Sequence, residues 1–377
     1  VTILSIFAAP LLFLLGLLLW SQGAGGEAWP AEIIRPWTYL LPTIALAWLA
    51  KFFGHRRRNW NLIAAVDVLL AFSLAYELLR LLNNGVAGGL GNAGFWLCLI
   101  GVTLAAWQAL ASVGHLADRN RGYMLFVPAL FGIGLIYAWQ VIVTGFGIPR
   151  ILLPTPGEIG HQIVAQAPML WLDFQQTFLK SVIAGFFMGC GLGFIVAVAT
   201  DRLPFLQRGL LPLGNLASAV PIVGIAPIMV MWFGFGWESK AAVIVVMTFF
   251  PMLINTIAGL AASDHMQRDL MRSYGAGYWQ TFFQLRLPAA LPFIFNALKI
   301  NSTLALIGAI VAEMFGSPIS GMGFRISTEV YKMNVDIVWA TIAVAALAGS
   351  MFYGLLALIE RGLTFWHPSY RAKTHNR

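Results

Sequence analysis

The sequence predicts an all-α polytopic membrane protein of about ten transmembrane helices, and three observations carry that prediction. Apolar residues make up 59% of the 377 residues and charged ones only 10%, too little polar surface to cover a water-soluble globule. Apolar runs near the ~20 residues that cross a bilayer as a helix recur between short polar breaks. The alternating segments of about 10 residues that mark a membrane β-barrel do not occur.

In order, the candidate spans are 3–20, 37–53, 62–82, 95–117, 123–145, 177–200, 209–234, 241–261, 288–314 and 335–360. The first lacks a basic n-region and exceeds a usual signal h-region, so it is expected to be a transmembrane helix rather than a cleaved leader. An even number of spans puts both termini on one side. Alternate loops hold Arg56, Arg57, Arg58, Arg119, Arg121, Arg202, Arg208, Arg268, Arg272 and Arg286, and the tail holds Arg371, Lys373 and Arg377; these are expected to be cytoplasmic, with both termini. The other loops carry mainly Arg35, Arg150, Lys240, Arg325 and Lys332. The same bias accounts for the net charge of +8 without nucleic acid, which is not expected as a partner. Cys98 and Cys190 lie inside apolar runs and read as small buried hydrophobes, not as a disulfide or metal site.

Intramembrane carboxylates are costly and usually paired, so Asp67 and Glu77 on the third span read either as functional groups or as interfacial ones, Glu77 beside Arg80. After the fifth span, Pro149, Pro154 and Pro156 predict an extended segment, followed by a short amphipathic surface helix over 158–167. On the sixth span Gly185, Gly189 and Gly193 share one helical face, where a second helix can approach closely, although glycine is also common in membrane helices generally. The run from Gly189 to Gly193 is no nucleotide loop, because no strand precedes it and no Lys-Ser/Thr follows. No paired carboxylates or Ser/His/Asp set converge, and the six histidines scatter near loops and the tail, so no enzyme is expected. A secondary transporter would show inverted repeats with broken helices at matching positions, and neither is visible.

The loop 262–287 is long and polar between two apolar spans. Asp264 is a candidate N-cap with Gln267 at N3, predicting a helix over 263–274. Gly275-Ala276-Gly277 ends it, and a second short helix, 278–285, leads to Leu287-Pro288 at the start of the ninth span. Met271, Tyr274, Tyr278 and Phe282 are available to an apolar groove, or to lipid headgroups.

This loop resembles that of the permease subunits of binding-protein-dependent ABC importers, which reads Glu-Ala-Ala, three residues, Gly, then about a dozen residues to a closing Leu-Pro. Gly275, Ala276, Trp279, Phe282, Leu287 and Pro288 stand in the matching places. Asp269-Leu270-Met271 replaces Glu-Ala-Ala, keeping the acid and enlarging the two small residues. The resemblance runs from about Tyr123 to Trp366 through Leu153-Pro154-Thr155-Pro156, Val220-Pro221, Trp232-Phe233-Gly234, Phe249-Phe250-Pro251 with Asn255-Thr256, Ala312-Glu313-Met314 and Ser320-Gly321-Met322-Gly323. It looks most like the nitrate/sulfonate/taurine branch, which includes importers of thiamine-precursor pyrimidines.

The resemblance implies a type I ABC importer permease core of six transmembrane helices over 122–377, preceded by a module of four over 1–121, in a bacterial inner membrane. It implies that Asp269, Arg272, Gly275, Ala276, Trp279, Phe282, Leu287 and Pro288 couple the chain to an ATPase subunit. It also implies a second permease copy, as a homodimer, and a periplasmic binding protein delivering a small solute, nitrate/sulfonate/taurine-like or pyrimidine-like. The chain has no Walker motif and is expected to bind no cofactor, ATP and Mg being used by the partner ATPase. Lys299 lies 11 residues past Pro288, about 16 Å along a helix and so near the midplane. A lone Lys at that depth calls for a partner or a water-filled cavity. Lys299, Asn301, Asn255 and Glu313 are therefore the candidate pathway residues, with structural pairing of Lys299 the alternative.

Overall fold

The computed structural model describes residues 3–22, 40–45, 47–49, 60–83, 93–203, 205–206, 208–210, 212, 221–316 and 319–365. The Arg56–Arg58 cluster, Arg35, Val220 and the basic tail lie outside them. Among the described residues every regular element is helical. In chain order these are α1 (Ile3–Gln22), α2 (Leu40–Leu49), α3 (Trp60–Asn83), α4 (Ala93–Arg119), α5 (Phe126–Gly145), α6 (Pro156–Ala165), α7 (Ala167–Arg202), α8 (Ile222–Phe233), α9 (Trp237–Ala261), α10 (His265–Ser273), α11 (Tyr278–Phe315), α12 (Met322–Tyr331) and α13 (Val335–Leu363). Of these, α3, α4, α5, α7, α9, α11 and α13 are long and apolar enough to cross a membrane. Three shorter apolar stretches, Ala8–Leu19, Leu40–Leu49 and Val223–Phe233, fall where the first, second and seventh spans are expected.

The chain divides into two compact units, Val1–Glu158 and Ile159–Arg377. In the first, α1 packs on α4 through two glycines. A Cβ on Gly16 would stand 2.7 Å from the Cys98 backbone nitrogen, and one on Gly101 would stand 2.8 Å from the Ala9 carbonyl. Phe13, Leu17, Leu74, Leu78 and Phe95 complete a buried core. Both intramembrane carboxylates have partners close by. Asp67 accepts from the Ser112 hydroxyl, and Glu77 is bridged by Arg80 at 2.8 Å on its own helix. The fifth span packs on α3 and α4, and the Tyr137 hydroxyl donates to the Ala75 carbonyl at 3.1 Å. The surface helix α6 opens with a reciprocal cap: Thr155 Oγ1 accepts from Glu158 N–H, and the Glu158 carboxylate accepts from Thr155 N–H.

The second unit is organised around α7, α9 and α11. The glycine face of α7 is a seam. A Cβ on Gly185 would meet Ile244 at 2.6 Å, one on Gly189 the Thr248 hydroxyl at 2.0 Å, and one on Gly193 the Phe249 carbonyl at 2.6 Å. Only hydrogen fits there, so α9 approaches backbone to backbone and gains dispersion contacts, the main source of helix association in lipid. Near the end of α9, Gly259 sits against Ala290 and Phe293 of α11 in the same way. Two π-helical turns interrupt the long helices: Gln175–Val182 within α7 and Phe282–Arg286 within α11.

Candidate functional site

The loop 262–287 forms from its sequence much as its caps dictate. Asp264 accepts from Met266 N–H at 3.1 Å and starts α10. Gly275 takes a φ of +70°, where an L side chain is strained. There Ala276 N–H bonds the Met271 carbonyl at 3.0 Å and Gly275 N–H bonds the Arg272 carbonyl at 2.9 Å. These paired bonds form the Schellman motif that stops a helix and reverses the chain. No residue of α10 is buried, and Met266, Leu270 and Tyr274, spaced four apart, are 78%, 56% and 81% exposed. They make one apolar stripe on a largely polar helix, with the partly buried Met271 beside it. Asp269 and Arg272, 3.6 Å apart and both well exposed, flank the stripe.

After the turn, the short helix expected over 278–285 and the ninth span expected from Pro288 are one. The chain runs helically from Tyr278 through Phe315, and Leu287 and Pro288 lie inside this helix instead of opening it. Proline removes an N–H and clashes with the carbonyl four residues back, and the wide π turn at Phe282–Arg286 stands where that clash would fall. Phe282, expected in the groove, is only 3% exposed and packs into the core with Tyr278 and Leu287. Trp279 and Phe283 are 51% and 60% exposed, and their rings stack with centroids 5.9 Å apart.

Two residues just past the expected sixth span grip this segment: Asp201, which the sequence did not single out, and Arg202, expected only as one of the cytoplasmic basic residues. Asp201, at the end of α7, takes Arg286 in a bidentate ion pair, both N···O distances 2.6 Å, and also accepts from the Tyr278 hydroxyl at 2.8 Å. Arg286 donates further to the Leu260 carbonyl near the end of α9. The Arg202 guanidinium lies over both the Tyr278 and Trp279 rings, 4.2 and 4.4 Å from their centroids. A charge pair ending an apolar run carries a topological meaning whatever it touches, which is why composition alone gave no sign of this clamp.

Each candidate pathway residue takes part in a side-chain hydrogen bond. Lys299 pairs with Glu360 of α13 at 2.7 Å, in the last turn of that helix. Asn301 is fully buried and donates to the Thr248 carbonyl at 2.8 Å and to Cys190 Sγ at 3.2 Å, tying α11 to α9 and α7. Asn255 is half-buried and donates to the Pro251 carbonyl one turn back on its own helix. Glu313 is 1% exposed. Its carboxylate accepts from the Thr177 hydroxyl and from Gly323 N–H at 2.9 Å. Beside it, Asp173 accepts from Gly321 N–H at 2.8 Å and from Arg325 Nε at 2.8 Å, and Thr177 Oγ1 accepts from Met322 N–H at 2.7 Å. Asp173, Thr177 and Glu313 thus hold the turn Gly321–Gly323 at the end of α11 far from the loop. A Cβ on Gly321, whose φ is +135°, would stand 2.7 Å from the Glu313 carboxylate.

Long apolar helices, with an exposed apolar stripe mounted on a glycine turn between two of them, define a polytopic membrane protein. Residues 189–365 match the family described as binding-protein-dependent transport system inner membrane component. The formylaminopyrimidine transport permease protein ThiX of Halalkalibacterium halodurans is 30% identical over 251 residues, covering 66% of this chain and 98% of its own. The putative aliphatic sulfonates transport permease protein SsuC of Bacillus subtilis is 30% identical over 67% of this chain and 91% of its own. The riboflavin transport system permease protein RibX of Chloroflexus aurantiacus is 29% identical over 70% and 100%. The chain belongs to this family: it is the transmembrane permease subunit of an ABC importer, a multi-pass inner-membrane protein, with ATP hydrolysis on a separate ATPase component. The family implies ATPase and binding-protein partners.

Proposed function

We propose that the loop 262–287 is the docking element for the ATPase, and that the chain works as a homodimer importing a small solute handed over by a periplasmic binding protein. The observation that carries this is the exposed stripe Met266, Leu270 and Tyr274 on α10. An apolar helix face left exposed among the described residues fits a groove, read at i, i+4 and i+8. Asp269 and Arg272 flank the stripe and supply register. Gly275 and Ala276 fix the turn, Trp279 extends the exposed surface, and Phe282, Leu287 and Pro288 anchor the segment in the bundle. The proposal places this loop and both termini in the cytoplasm, in keeping with the basic residues of the alternate loops. It treats 1–121 as an added four-helix module and 122–377 as the transport core.

The solute belongs to the sulfonate, taurine and nitrate type or to the pyrimidine type, as the named relatives suggest. Of the candidate pathway residues, Lys299, Asn301, Asn255 and Glu313 serve as supports of the pathway walls, because each holds a partner inside the bundle. Co-expression with candidate ATPases tests the docking reading. Leu270→Asp puts a charge in the centre of the stripe and is expected to abolish ATPase retention while the chain still inserts into the membrane. Retention at the wild-type level would overturn the reading.

A further inference from the structure

The helix α7 is 36 residues long, about 54 Å at 1.5 Å per residue, and it is fixed to a different functional segment at each end. At its last residues Asp201 and Arg202 grip Tyr278, Trp279 and Arg286, directly beyond the Gly275 turn. Near its start Asp173 and Thr177 hold the backbone of Gly321 and Met322. Between them the glycine seam locks α7 against α9, so the rod slides or tilts with that helix as a packed pair. The loop's two halves are mounted in contrast: α10 has no buried residue, whereas the segment after the turn is held by an ion pair, a phenol hydrogen bond and two cation–π contacts.

From this arrangement we infer that Asp201 is a positioning residue for coupling: through Arg286 and Tyr278 it transmits displacement of the docked loop into α7, and α7 carries it to the far-end turn at Gly321. The inference rests on the docking role proposed above and adds the route by which docking is felt at the other end of the bundle. Packed networks of discrete contacts carry coupling of this kind, but a shared path is shown only by measured coupling. A pair that merely stabilised the fold would not make the far end respond to ATP.

Ile319 is 78% exposed beside the far-end turn, so Ile319→Cys offers a reporter, while Cys98 and Cys190 are buried. The reporter chain is assembled with its ATPase and binding protein in nanodiscs, and the rate of modification by a water-soluble thiol reagent is measured with and without a non-hydrolysable ATP analogue. With Asp201 present, the analogue is expected to change the rate. Asp201→Asn is expected to reduce that change about tenfold, the scale of a typical coupling, with the ATPase still retained. Asp201→Glu, which keeps the charge, is expected to restore most of it. Where Asp201→Asn fails to assemble, Tyr278→Phe removes one bond to Asp201 and keeps the ring under Arg202, and it is expected to weaken the response partially. An undiminished response in Asp201→Asn, or in Tyr278→Phe where that variant takes its place, would overturn the inference alone. If the reporter chain with Asp201 intact retains no ATPase, the docking reading falls and the inference with it.

Discussion

The Lys299–Glu360 pair separates a wall from a passage. Its nitrogen and oxygen stand 2.7 Å apart, with the side chains 18% and 8% exposed. At an effective dielectric of about 20, two unit charges at that distance attract by roughly 6 kcal/mol, most of which offsets the cost of taking them out of water. Lys299→Gln therefore leaves the Glu360 carboxylate without this ammonium and is expected to cost ~3–5 kcal/mol, and Glu360→Gln is expected to destabilise as well. The double variant leaves two neutral amides that can bond each other, so its loss should be near ~1 kcal/mol, a coupling of several kcal/mol across the cycle. The assay is thermal unfolding of the purified complex for the four proteins, paired with uptake per complex. Recovery of both stability and uptake in the double variant is expected. A double variant that is stable but does not transport would refute the structural reading and return Lys299 to the pathway.

Gly189→Ala should destabilise by ~1–3 kcal/mol because its Cβ meets the Thr248 hydroxyl, whereas Gly191→Ala, with open space around its Cβ, should be neutral or gain up to ~1 kcal/mol; melting curves of the two compare them directly. Gly275→Val forces a β-branched residue to a φ of +70° and should cost ~1–2 kcal/mol of the turn, lowering ATPase retention without affecting insertion, as a pull-down would show. Glu329, on α12, is pushed up by burial, but Asn334, Lys332 and Arg325 outweigh that and hold its carboxyl below the usual range. Its folded-state value being depressed, its contribution is present above the ordinary carboxylate pKa and is lost as pH falls through the folded value. Stability should therefore fall on acidification in the wild type and less so in Glu329→Gln, measured by unfolding from pH 6 down to about pH 3.

What the sequence made legible follows from how its signals are built. Apolar run length placed the seven described helices long enough to cross a membrane, because a bilayer sets helix length whatever the packing. Asp264 and Gly275 announced the start and stop of α10 because both act on backbone groups within a turn of themselves. The glycine face of α7 was readable as a place for close approach, although not which helix would come. Contacts across the chain stayed hidden: Arg286 and Asp201 are 85 residues apart, and Lys299 and Glu360 are 61 apart. Aromatic spacing could not tell the buried Phe282 from the exposed Trp279, since burial depends on which neighbouring helices pack against the segment. Glu313 drew notice for its depth, and depth alone does not separate a pathway carboxylate from one that caps the backbone of a glycine turn.

This chain should move solute only when an ATPase drives it. Uptake into proteoliposomes holding the chain and its ATPase, with the binding protein supplied outside, tests it directly. Uptake is expected to need ATP and to stop when the ATPase can bind but not hydrolyse it. Undiminished uptake by the chain alone, driven by an ion gradient, would contradict it.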